Sequence, residues 1–445
     1  ATVRAGGTAL PPKAVLALAP AHNATDVQVL AVDATVEAIA AGATFGVAAM
    51  AIAAVNDHLE VTRFTARAIR SRVVAESGYG GSGIAALGVT AQSDRGAGSL
   101  AASELYFEAA EASFVLARGD YDGEALSAVA VAMKGYAYDV SITTSVFIVH
   151  GGSHAVVTSA IGSDSMAVMG IAASYSPAAV SDSVFVAIDA HLRAVFRDRS
   201  SEVIAILGAA IQPGSQTPTL ALSNVSFWGS HVNVNNTCPT LDRGVTAVGL
   251  ATLPGALIDA VNVSIAALSS AISSCGRPAD SVVQGIIGGV TTDNSTVIAC
   301  CNATATGASV AAPCNNSLSA AQCLEAYPRP SSPLPDPAAW SVLLPQVPWS
   351  LTPTPSTSQS STRTVTVPTS SASGSGNTQS PTAPPTRTLT ASATHSAATP
   401  TRTHPTATGS ATPSRTPSIG SSTHSGPGPT TSVSHTPGTP SSSAT

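Results

Sequence analysis

An all-β chain, wound as a parallel right-handed β-helix and followed by a long disordered tail, is the fold the sequence predicts. Three observations carry the prediction. A small residue set among aliphatics returns about every 39 residues, strand-like runs fill each interval, and the last quarter of the chain is built of Ser, Thr and Pro.

The repeat is the first of these, and a period of this size is a signature of stacked architectures. Its anchors are Ala51, Gly88, Ala130, Gly170, Gly208, Gly249 and Gly288, with spacings by subtraction of 37, 42, 40, 38, 41 and 39. A second pulse ends on Phe64, Phe107, Phe147, Phe185, Phe227 and Ile265, 22 to 24 residues before the next anchor. A third falls on Val73, Val115, Val156, Val195, Val232 and Ile272. The runs alternate apolar residues with Ser, Thr or Asn and favour Val, Ile and Phe, the pattern of half-buried strands. Gly, Asp, Ser and Pro punctuate them, as at Pro213–Gly214 and Pro254–Gly255. Three strands per repeat predict a solenoid of about seven coils. Helical repeats share the period but need charged outer faces that this chain lacks. A WD40 propeller needs a Trp-Asp dipeptide, which is absent.

Composition narrows the setting. The chain has 445 residues, 44% hydrophobic and only 10% charged, with two lysines, Lys13 and Lys134, and a net charge of -6. Ordinary soluble domains carry about 25% charged residues. No basic footprint is present, so nucleic acid is excluded as an expected partner. Residues 38–55 are uncharged, but they are mostly Ala and Gly and belong to the repeat. After Asp336 no acidic residue occurs, and after Trp349 no aromatic one. Arg363, Arg387, Arg402 and Arg415 each sit between hydroxyl residues in this tail. Such a segment cannot bury enough apolar area to offset its ordering entropy, and its composition is that of O-glycosylated stalks. Three regions follow: a β-helix over 1–297, a Cys-rich C-terminal cap over 298–327, and a mucin-like Ser/Thr/Pro stalk over 328–445.

The six cysteines, Cys238, Cys275, Cys300, Cys301, Cys314 and Cys323, all lie late in the chain and lack zinc-ligand spacing. Disulfides are expected. Cys238 and Cys275, 37 residues apart, fall in comparable slots of adjacent coils, and the other four are expected to knit the cap. Six cysteines permit fifteen connectivities, and spacing alone does not choose among them. N-glycosylation sequons occur at Asn23, Asn224, Asn235, Asn262, Asn294, Asn302 and Asn315. Asn224 and Asn262 occupy one repeat position, either facing solvent together or stacking as an Asn ladder.

Sites of chemistry were sought and discounted. Gly78–Gly83 satisfies G-x-G-x-x-G, but it fills an inter-strand gap rather than a strand-to-helix turn. His150 and His154 flank Gly151 and Gly152, which break any helix that could make them share a metal. Asp182, Asp189 and Asp198 are spread through one repeat without matching acids in its neighbours. No catalytic residue, cofactor or metal is expected.

Over residues 27–288 the stacked repeat resembles the pectin-lyase-like right-handed β-helix family, in pattern and period. That family's catalytic acids and bases have no counterpart here, so its activity is not carried over. Together with the Cys-rich cap and the Thr-Arg-Thr tail, the chain is similar to membrane-associated surface proteins of kinetoplastid flagellates. That resemblance implies a signal peptide and membrane anchor outside the residues given. The expectation is therefore a non-enzymatic glycoprotein at the cell surface or secreted, its β-helix held on a glycosylated stalk for adhesion, ligand binding or coat formation. Glycans or surface proteins are the expected partners. A secreted polysaccharide lyase or hydrolase on the same scaffold is the alternative.

Overall fold

Each run of alternating apolar and polar residues forms a strand that lies parallel to the same run one repeat later. The computed structural model describes residues 2–7, 13–14, 23–40, 46–55, 58–78, 83–93, 98–120, 125–135, 138–160, 165–196, 203–213, 217–237, 245–275, 282–307 and 314–334. The strands stack into three parallel sheets wrapped around one core, so the fold is the β-solenoid expected.

A flat sheet of nine strands runs from Thr2–Gly7 to Thr304–Gly307. Its strands alternate buried and exposed positions, as in the pattern eBiBiB of His154–Ser159. A long sheet stacks Ala24–Val32, His58–Ile69 and Gly98–Ala110 onto later strands such as Ala178–Ile188 and Thr219–Ser230. A third, folded sheet is made of bent pairs such as Gly46–Ala48 with Ile52–Val55, buried on both faces. Its vertex places Met50, Leu87, Val129, Met169, Leu207 and Val248 in the core. The two arms close on small residues: Ala48, Ala51, Ala53 and Ala85 cluster together, and the Ser165 and Ser174 hydroxyls are 2.6 Å apart.

The anchors follow the vertex directly, and the backbones of successive coils touch there. A Cβ on Gly170 would lie 2.3 Å from the Gly208 carbonyl oxygen, and one on Gly249 would lie 2.0 Å from that of Gly285. The register corrects the last anchor, because Gly249 pairs with Gly285 and not with Gly288. Gly288 lies beyond that strand, where the chain turns.

The second pulse builds the core. Phe107, Phe147, Phe185 and Phe227 pair in register, with ring centroids 5.2, 4.5 and 4.8 Å apart. Phe64 departs from the expected column, since it pairs with Leu105, while Ala66 pairs with Phe107. Residues two apart share a face, so the Phe64 ring tilts into the space left over Ala66 and meets Phe107 at 5.4 Å. The third pulse slips by one residue: Val115 pairs with Ala155, then Leu192 and Val234, rather than with Val156. A one-residue slip reverses the face, so Val156 points outward and Ala155 fills the core.

Two columns of residues in left-handed conformation bend the coils. One holds Asp26, Arg63, Glu104, Thr144, Asp182, Asn224 and Asn262, with φ between 49° and 58°. The other includes Asp33, Arg70, Glu111, Gly151, Asp189, His231, Ser269 and Asn302 at the corner between the long and flat sheets. Asp and Asn tolerate this conformation best among non-glycine residues. Their side chains bond along each column: Arg63 to Asp26 at 2.8 Å, Asn224 to Asp182 at 2.9 Å and Asn262 to Asn224 at 2.8 Å. At the corner, Arg70 donates to Asp33 and to Glu111.

Packing of this kind is sensitive to one methyl group. Gly249→Ala is expected to cost about 3 kcal/mol by forcing adjacent coils apart. Gly46→Ala, whose Cβ would meet only the flexible Val55 Cγ2 at 3.3 Å, should stay within about 1 kcal/mol of wild type. Urea denaturation of the two variants makes the comparison, and equal midpoints would refute the close-contact account.

Candidate functional site: a strap across the long sheet

Two adjacent cysteines lay out the site. Neighbouring residues of a strand face opposite sides, so in Val297–Cys301 the Cys300 side chain enters the core and the Cys301 side chain faces outward. Cys300 bonds Cys314, and Cys301 bonds Cys323. Between these bridges Asn315 pairs with the last coil, its N–H donating to the Cys300 carbonyl and its carbonyl accepting from Asn302. The open edge is thereby covered, which a solenoid end requires. The coil itself continues through Thr304–Gly307, so the boundary drawn at residue 297 falls inside the stack. Cys275 is also disulfide-bonded; Cys238 lies outside the described residues.

Beyond the bridges the chain turns back over the long sheet as a strap. Ser319 caps the short helix Ala320–Ala326 through a capping box with Gln322. Cys323, Leu334 and the half-buried Leu318 and Tyr327 then cover an outward apolar stripe that includes Val146, Ile148, Val184, Val186 and Trp228. The Trp228 indole donates to the Tyr327 carbonyl at 3.1 Å. Residues 328–334, read from sequence as the start of the stalk, therefore belong to the packed body.

Under the strap lies a buried polar cluster. Glu108 and Arg67, 4% and 5% exposed, pair at 2.5 Å. His150 Nε2 donates to the other Glu108 oxygen at 2.9 Å, and the Tyr106 hydroxyl lies 3.3 Å from the carboxylate. Burial, the largest single influence on Glu108, would raise its carboxyl; the His150 hydrogen bond and the Arg67 charge outweigh it and hold it below the usual range. Burial also lowers Arg329 of the strap, against the opposing charges of Tyr106 and Glu108. At the end of the strap, Pro333 and Leu334 roof a cavity of about 430 Å³ lined by Asp26, Gln28, Arg63, Thr65, Glu104 and Thr144.

The residues singled out from sequence fall as follows. His150 and His154 part company at the corner glycines, His150 joining Glu108 while His154 stacks on His191 of the flat sheet. Gly78 and Gly83 join two strands, Arg72–Ser77 and Gly83–Ala85, with no helix after them; residues 79–82 lie outside the described residues. Asp182 and Asp189 sit in separate bent columns, and Asp198 lies outside the described residues. Asn23, Asn224, Asn262, Asn294, Asn302 and Asn315 are exposed and Asn235 is half-buried. Asn224 and Asn262 are at once exposed and laddered. Among the described residues no group of three His, Cys, Asp or Glu could hold a metal. The Arg67–Glu108 pair escaped sequence reading. Its signal was opposite charge at matched positions of neighbouring repeats, 41 residues apart.

Two outcomes test this account. The lowered Glu108 carboxyl contributes stability that is complete above about pH 4.3 and is lost as the pH falls through its lower folded value. Glu108→Gln should flatten that acid limb, and Glu108→Ala, stranding Arg67, should cost about 3–5 kcal/mol at neutral pH. Cys323→Ser should raise hydrogen exchange across 324–334 while leaving the coils protected; unchanged exchange there would show that the bridge does not hold the strap. No family model, curated protein or solved structure matches this chain.

Proposed function

We propose that the chain is a non-enzymatic cell-surface or secreted glycoprotein that presents a rigid β-solenoid on a Ser/Thr/Pro stalk for adhesion or ligand binding. The observation that carries this reading is the pairing of oxidised cysteines with a tail that lacks any acid or aromatic residue past Trp349. Disulfides persist in oxidising compartments, and such tails are glycosylated spacers. Exposed sequon asparagines on the solenoid agree with it. Glycans or surface proteins are the partners, engaged by the outward columns. Membrane association would come through a segment outside these residues; among the described residues no helix is long and apolar enough to cross a membrane.

One observation favours a polysaccharide-active enzyme as a second reading. Asp26, Arg63 and Glu104 line a single cavity, and two carboxylates with an arginine are what glycosidic-bond chemistry employs. Against it, Arg63 occupies both Asp26 oxygens. The two acids stand two strands apart, about 9–10 Å along the stack.

Mass spectrometry of the secreted protein is the test. Intact mass should exceed the 44.0 kDa of the polypeptide, drop on deglycosylation, and show no free thiol. An unmodified, reduced chain would overturn the reading. Loss of oligosaccharide cleavage in Glu104→Gln would instead establish the enzyme.

A further inference from the structure

The outer face of the flat sheet changes character midway along the solenoid. On its earlier strands the charges compensate one another. Arg72 approaches Glu37 at 3.8 Å, and Arg118 lies 3.4 Å from Glu76 and 3.0 Å from Asp120. From His154–Ser159 onward the outward residues include His154, His191 and Arg193 but no carboxylate. His154 and His191 pair directly, their rings 4.4 Å apart and 16° from parallel. Phe114 stands beyond His154 at 6.4 Å, with Arg72 over its far face.

Stacked this way, the two imidazoles cover each other's faces and leave their edges to approach from solvent. Neither ring has a hydrogen-bond partner among the described residues. Arg193, exposed and two residues from His191 on the same face, makes no ion pair there either. At the corner beside them stand Asp189 and His231, whose Nδ1 is engaged by Ser230 at 3.0 Å. Beyond lie Thr158, Asn233, Thr237, Ser273, Thr304 and Thr306, uncharged hydrogen-bonding groups on a strip four strand spacings long, about 19 Å.

We infer that this strip binds an anionic polysaccharide, its acid groups held by Arg193 and the edges of His154 and His191, more tightly as the pH falls. The cations match the acid groups, and the hydroxyls and amides match ring hydroxyls. An acidic peptide would have no free strand edge here to pair with, because every inner strand is already bonded on both sides. Burial and the neighbouring His191 lower the pKa of His154, so protonation of the pair is opposed until an anion bridges the two rings. Binding then takes up protons. The inference rests on the ligand-binding reading above and names its ligand class.

The test titrates the full chain by calorimetry with oligogalacturonate, a sulfated heparin-type oligosaccharide, neutral dextran and polyglutamate. Binding of either anionic sugar is expected about tenfold tighter near pH 5.5 than near pH 7.5, and which one binds distinguishes carboxylate from sulfate. His154→Asn/His191→Asn should remove the pH dependence, and Arg193→Gln should weaken binding at both pH values. Arg118→Gln, among the compensated charges, should leave binding unchanged. Equal binding of dextran or polyglutamate, no binding at all, or equal loss in Arg118→Gln would overturn the inference. A neutral glycan bound elsewhere would sink this strip while leaving the adhesion reading standing.

Discussion

In-register parallel stacking is the constraint on which the rest of the structure depends. Each strand residue lies over its counterpart about 4.8 Å away, so a side chain that faces inward must do so at every coil. Length differences between repeats are confined to the connections. The flat sheet steps 37, 42, 40 and 37 residues from Thr35 through Arg72, Phe114 and His154 to His191 without losing alternation. Where the backbones come closest, at Gly170, Gly208, Gly249 and Gly285, no side chain fits between coils. Where they are farthest, four phenylalanine rings stack.

The same alternation explains the chain's exit from the stack. A single cysteine on the last long-sheet strand could staple either the core side or the solvent side. The dipeptide Cys300–Cys301 does both, tying Cys314 beneath the core and Cys323 on the outer face. Apolar outward residues such as Ile148 and Val186 are thereby covered by the strap instead of lying bare. The cost of burying Arg67 and Glu108 is met by their mutual pairing and by His150.

How much of this was legible in the sequence follows from what repeats. The period, the vertex glycines and the phenylalanine column were readable because inward positions are nearly identical from coil to coil. Register was readable only to within a residue or two. Val115 and Val156 look equivalent in composition, yet the pairing partner is Ala155, since a small apolar residue serves in the core as well as a valine. Phe64 misled for the converse reason: a ring two positions away can reach the same space. The strap was invisible because residues 328–334 have the composition of the tail that follows, and only their docking against Trp228 and Thr65 separates them from it. The two left-handed columns left a faint trace in Asn224 and Asn262, while Arg63, Glu104 and Arg70 are residue types that no turn rule would place there.

Stacking fixes the inside and leaves the outside free, which is why the solenoid's chemistry is written in its outward columns. Along the bent column of the long sheet the residues pass from Asp26, Arg63 and Glu104 to Asp182, Asn224 and Asn262, from ion pairs to amides. The flat sheet runs in parallel, from Arg72 and Arg118 with their acids to His154, His191 and then Asn and Thr. Facing side chains one strand spacing apart must attract or at least not repel, so a column can change its charge only gradually. The result is a molecule whose early coils satisfy their own charges and whose later coils present unsatisfied donors to solvent. A ligand rich in acceptors therefore has one end of the solenoid to prefer, whatever loops decorate the other.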